Sequence, residues 1–169
     1  MHPPDWLLQL FGPWKELYSN SKLTDTVTVF FHLAALLFGG GAAIVVDRAT
    51  LRVRDRGGPG AERALADIHA SHRLVLIALS VLFISGIALA GADLETFFAS
   101  PIFWVKLSCV TLLVANGALL TSTERRLRRD GLDSQPAERL WRRLRFSAVA
   151  SLVLWTMTVL VGTALANMV

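Results

Sequence analysis

The chain has 169 residues, 53% of them hydrophobic, a mean hydropathy of +0.50 and a formal net charge of +4. It is more apolar than ordinary soluble domains, and its length suits a single domain. Its one cysteine, Cys109, excludes an internal disulfide framework and a thiolate metal cluster within one chain.

The segment "DWLLQLFGPWKELY" (5–18) comes first. It sets Trp6, Trp14 and Tyr18 among leucines and is too short and interrupted to cross a bilayer. Its aromatic rings predict a segment lying at the outer interface. Residues 1–22 lack a basic start and carry Asp5, Pro13 and Glu16, which is not the pattern of a signal peptide.

Four long apolar blocks follow, at 27–46, 74–92, 102–121 and 146–166. Each is long enough to cross a hydrocarbon core of roughly 30 Å, which predicts an all-α integral membrane protein. Thr24 or Asp25 is placed to cap the first block. "RDRGGPG" (54–60) is a break, and from Ala61 the pattern "AERALADIHASHRL" is already helical. "DLETFFASP" (93–101) reads as an outer loop anchored by Phe97, Phe98 and Trp104. The third span runs on through "STERRLRR" to a stop at Gly131. Ser134 and Pro136 then mark the start of the last helix. Short links make neighbours antiparallel, so the expected architecture is an up-down four-helix bundle behind an N-terminal interfacial segment, 1–22.

Charge predicts the orientation. All fourteen arginines lie between blocks one and two or between blocks three and four, while the middle connection carries only Asp93 and Glu95. The positive-inside rule places the arginines in the cytoplasm and both termini outside, in the periplasm of a bacterial inner membrane. Clustered arginines also permit nucleic-acid binding. Here each cluster flanks a span, which topology and anionic-lipid contact explain, so no nucleic-acid partner is expected.

In lipid, small and polar residues mark the faces where helices meet. On span one these are Asp25, Thr28, His32, Ala35, Gly39 and Ala43. Span three offers Lys106, Cys109, Leu113, Asn116 and Leu120, and span four Ser147, Ser151, Trp155, Thr158 and Gly162. Span two contributes Ser80, Ser85 and Gly86, less cleanly aligned. Cys109 reads as a small buried apolar residue, and Asn116 as interhelical glue.

His32 lies about 7–8 Å below the start of its span and Lys106 about 6 Å below the start of its own. The helices run in opposite directions, so both ionisable groups reach the same outer level. Such residues inside a span point to function. Two readings of His32 stand. It is an axial ligand of b-type haem, with Gly39–Gly41 making room for the macrocycle and Lys106 holding a propionate or acting as second ligand. Alternatively it is a neutral ring bonded to a Ser or Thr of a neighbouring helix, with the glycines a close-packing surface and Lys106 snorkelling towards Asp93 or Glu95. At the inner end of span two, His69 and His72 share a helix face. They could form half of a metal site with Asp67 or Asp47, cap an inner haem, or sit solvated at the boundary beside Arg73.

The stretches "FHLAALLFGGGAAIVVDRATLR", "SGIALAGADLETFFASPIFWVKL" and "LLVANGALL" resemble a loose group of small four-helix bacterial inner-membrane proteins of uncharacterised function. More distantly, residues 27–125 are similar to copper-resistance proteins of the CopD type and to HemJ-type protoporphyrinogen oxidases. The HemJ-type resemblance implies a membrane histidine and lysine around haem, at His32 and Lys106. The CopD-type resemblance implies an association with copper.

The expected function is a small redox-type membrane protein that carries haem b and passes electrons between a quinone or partner protein and an acceptor. His32 would ligate iron, and His72 is the best candidate for an inner site. The alternatives are a non-catalytic accessory subunit of a larger membrane complex or homo-oligomer, and a small proton-coupled transporter using His32 and Lys106.

Overall fold

The computed structural model describes residues 2–53, 58–131 and 137–168. Among these there is no strand. The elements are α1 (Asp5–Asn20), α2 (Lys22–Arg52), α3 (Pro59–Ala92), α4 (Leu94–Ala99), α5 (Pro101–Asp130) and α6 (Ala137–Met168). The helices α2, α3, α5 and α6 are each long and apolar enough to cross a membrane. Arg54, Arg56, Ser134 and Pro136, expected in the break and the last cap, lie outside the described residues.

Local chemistry sets the helix ends. Ser21, not Thr24 or Asp25, caps α2: its side chain accepts the Thr24 N–H at 3.2 Å. Ser21 has extended backbone between two helices, so its oxygen faces the free N–H groups of the following turn. The expected outer loop is itself a helix, α4. Asp93 starts it by accepting the Thr96 hydroxyl at 2.6 Å and the Thr96 N–H at 3.5 Å. Prolines at the first turns of α3 and α5 sit where a missing N–H costs nothing. Gly131, at φ 86°, ends α5 as expected, in a region that suits a residue without a β-carbon.

The long helices pack as two antiparallel pairs, α2 with α3 and α5 with α6, joined mainly where α2 meets α6. Contact between α3 and α5 is much sparser, which leaves a gap on that side. Small residues make the close approaches. A β-carbon on Gly39 would lie 2.6 Å from that of Ala78, and one on Gly40 would lie 3.2 Å from the Trp155 ring. Large apolar side chains point the other way: Phe30, Phe31, Leu33, Leu37 and Phe38 are all exposed along α2. This inverted pattern, small inside and large outside, suits lipid and would be a liability in water.

The arginine-rich end closes over a dry core that includes Val53, Leu65, Ile68, Leu127, Trp141 and Leu144. Two arginines tie it together. Arg128 pairs with Glu124 on its own helix and donates to the Leu65 carbonyl of α3 at 2.6 Å. Arg145 of α6 donates to the Val53 carbonyl beyond the end of α2.

At the opposite end α1 is docked. Phe11 packs so closely on Gly91 that a β-carbon there would collide with the ring. Trp14 Nε1 donates to the Ala88 carbonyl at 2.7 Å. Tyr18, the chain's one tyrosine, donates to Asp25 Oδ1 at 2.5 Å. Burial first, then the hydrogen bond and charge of Asp25, push its pKa from 10.0 up to about 12. A raised pKa favours the protonated phenol in the folded state. The contact therefore keeps its full contribution below pH 10.0 and loses it as pH rises to about 12. Ultraviolet titration of tyrosinate reads this contact alone. The midpoint is expected at about 12, and Asp25→Asn should bring it down towards the ordinary value.

Candidate functional site

Two polar clusters lie between the long helices. The first is nearer α4. His32 of α2 is half-buried, and its Nδ1 is 2.8 Å from Ser85 Oγ on α3. Ser85 directs its own proton to the Val81 carbonyl at 2.6 Å. The serine oxygen therefore accepts from Nδ1–H, which fixes the ring tautomer and leaves Nε2 with a free lone pair. Lys106 of α5 reaches the same interior. Its amine would be 3.5 Å from a β-carbon on Gly162 of α6, and it is close enough to His32 for their charges to interact. Among the described residues neither Asp93 nor Glu95 forms an ion pair with Lys106. On α6, one turn before Gly162, the buried Thr158 hydroxyl has no hydrogen-bond partner among the described residues.

The second cluster lies towards the arginine-rich end. Asp47 is fifteen residues beyond His32 on α2, about 22 Å along the axis, and is 2% exposed. It faces Ser151 of α6 across a shared cavity, while its Oδ2 has no partner among the described residues. His72 of α3 meets Thr121 of α5, Nδ1 to Oγ1, at 3.3 Å. Thr121 donates to the Gly117 carbonyl at 2.9 Å, so His72 Nδ1–H is the donor. Asp47, Ser71, His72, Thr121, Ser151 and Trp155 all line one cavity of about 80 Å³. Asn116 and Ser147 join α5 to α6 above it: Asn116 Nδ2 donates to the Ser147 carbonyl at 2.9 Å, and the Ser147 hydroxyl donates back to Oδ1 at 3.0 Å.

Between the clusters lies one aromatic layer. Trp155 packs on Gly39 and Gly40, with Ala78 filling the rest of the space over Gly39. Gly41 faces outward, with open space around it. Two of the three glycines thus serve close packing, and the room expected there for a macrocycle is filled.

A haem fits the donor chemistry but not the space. An imidazole held through Nδ1 with Nε2 free is how metal-ligating histidines are commonly oriented. Yet pockets for molecules of cofactor size hold about 300–1,000 Å³, whereas the cavity here is about 80 Å³ and belongs to the other cluster. His69 and His72 do not face the same way. His69 is exposed while His72 turns inward, and Asp67 is exposed too. No group of three or more His, Cys, Asp or Glu among the described residues is arranged to hold a metal.

Comparison with known families, characterised proteins and solved structures returns no match. The class that the fold defines is a helical protein with four helices suited to crossing a membrane. What it does is read from the two interior clusters.

Proposed function

We propose that α2, α3, α5 and α6 form an up-down bundle across a bacterial inner membrane, with α1, α4 and both termini outside and the arginine-rich end in the cytoplasm. Within it, the two clusters act as stations for protons or small cations, and the protein is a small proton-coupled transporter. The observation that carries this reading is the inward placement of His32, Lys106 and Asp47 on helices whose outer faces are apolar. Ionisable groups within a span mark ion and proton pathways. His32 and Lys106 form the outer station, Asp47 and His72 the inner one. Trp155 is the barrier between them, and the Asp47 carboxyl is the group that takes up and releases a proton.

Reconstitution tests this. Liposomes carrying the protein and an internal pH dye are given a potassium diffusion potential, and the rate of internal pH change is followed. Wild type should exceed protein-free vesicles, and His32→Ala and Asp47→Asn should each lose about tenfold or more of the added rate, a barrier rise of roughly 1.4 kcal/mol. Wild-type vesicles no faster than empty ones would overturn the reading. So would a Soret band in the purified protein that vanishes in His32→Ala, which would reinstate haem chemistry.

A further inference from the structure

The inner cavity has an unusual balance of hydrogen-bonding groups. Asp47 Oδ2 is buried without a donor among the described residues, and a buried carboxylate oxygen left unmatched is costly. The Asn116 amide, in the cavity wall, gives one of its two N–H groups to the Ser147 carbonyl. Among the described residues no lysine or arginine lines the space, and one wall is the Trp155 indole. The cavity is thus mostly apolar, holds the buried Asp47 carboxylate and is faced by an aromatic ring.

We infer that this cavity binds a small primary ammonium cation, of methylammonium size, with Asp47 as counter-ion and the Trp155 indole as the surface it lies against. An ammonium group supplies the donor that Asp47 Oδ2 lacks, and a cation over an indole face is attracted by the ring quadrupole. Size agrees: a cavity of about 80 Å³ holds a few non-hydrogen atoms and little more. A hard metal ion suits the site poorly, since such ions take about six or more oxygen ligands and Asp47 is the one carboxylate lining the cavity. Access is through the gap between α3 and α5. There Gly117 is exposed, and a β-carbon on it would meet nothing within 4 Å.

The inference deepens the transport reading by naming what the inner station holds, yet binding is measured without flux, so either can fail alone. The experiment is saturation-transfer NMR on the methyl signal of methylammonium with the full chain in detergent. Saturable transfer is expected with a dissociation constant of order millimolar, as suits so small a ligand. Ethylammonium should compete, while methanol and sodium chloride at the same concentration should not. Asp47→Asn should weaken binding about tenfold or more. Gly117→Leu, which sets a bulky side chain on the cavity wall at a position where a β-carbon meets nothing within 4 Å, should abolish transfer with helicity unchanged. This second variant keeps the test sound if Asp47→Asn folds poorly. Undiminished transfer in Gly117→Leu overturns the assignment, as does equal binding of methanol. Competition by sodium assigns the site to an inorganic cation instead.

Discussion

Replacing Arg128 by alanine is expected to lower the unfolding free energy by about 3 kcal/mol, the low end of what removing one partner of a buried ion pair costs. The low end applies because the partners are unequally buried: the Arg128 side chain is 43% exposed, that of Glu124 only 2%. Arg128 answers the Glu124 charge and also reaches the Leu65 carbonyl of α3, so its loss strands a carboxylate and removes a link between α5 and α3. In a chain of this size the change corresponds to a fall in apparent melting temperature of roughly 6–12 °C. Thermal unfolding followed by far-ultraviolet circular dichroism in detergent measures it. Glu124→Gln combined with Arg128→Ala should recover part of the loss, because no charge is then left buried. A melting temperature unchanged in Arg128→Ala would mean that the pair contributes no more than an exposed one.

The role of Arg128 could not be read from charge pattern alone. Fourteen arginines in two connections state an orientation, but not which of them reach across to a neighbouring backbone, since that depends on how helices cross. The long apolar blocks were legible because lipid-crossing length leaves a strong signal in sequence. The caps were less so: Ser21 caps α2 because α1 ends immediately before it, and an interfacial segment with Pro13 inside did not announce a helix that runs to Asn20. Inward faces on α2, α5 and α6 followed from the small and polar stripes. On α3 the stripe held at Ser85 and Gly86, which face His32, but not at Ser80, which is exposed and donates to the Leu76 carbonyl of its own helix. Ala78, which carries no polar mark, also meets α2, at Gly39. Of the candidate site, His32 was legible as an ionisable ring in an apolar run, and so was its possible Ser or Thr partner. Asp47 carried less weight than it deserved, because an acidic residue beside Arg48 at the end of a block reads as a boundary pair. Only the fold turns it inward to Ser151.

Gly39→Val is expected to cost about 3 kcal/mol, the upper end for overpacking a tight contact. Two β-carbons cannot sit 2.6 Å apart, and neither is the tip of a flexible side chain that could move aside, so α2 and α3 must separate. Gly39→Ala should cost less, partly because alanine favours helix over glycine by about 1 kcal/mol. The informative experiment is a double-mutant cycle. Ala78→Gly removes the opposing methyl, so Gly39→Ala with Ala78→Gly moves that methyl from one helix to the other and restores the spacing. The coupling energy between the sites should be about 1–3 kcal/mol and favourable. The same contact bears on function, because Gly39 and Gly40 seat the Trp155 ring that divides the two clusters. Gly39→Ala should therefore shift the ring and make proton flux leaky, and the double variant should restore stability and coupling together. Stability recovered without restored flux would separate helix packing from the aromatic barrier. Neither recovered would show that α2 and α3 do not meet at Gly39 and Ala78.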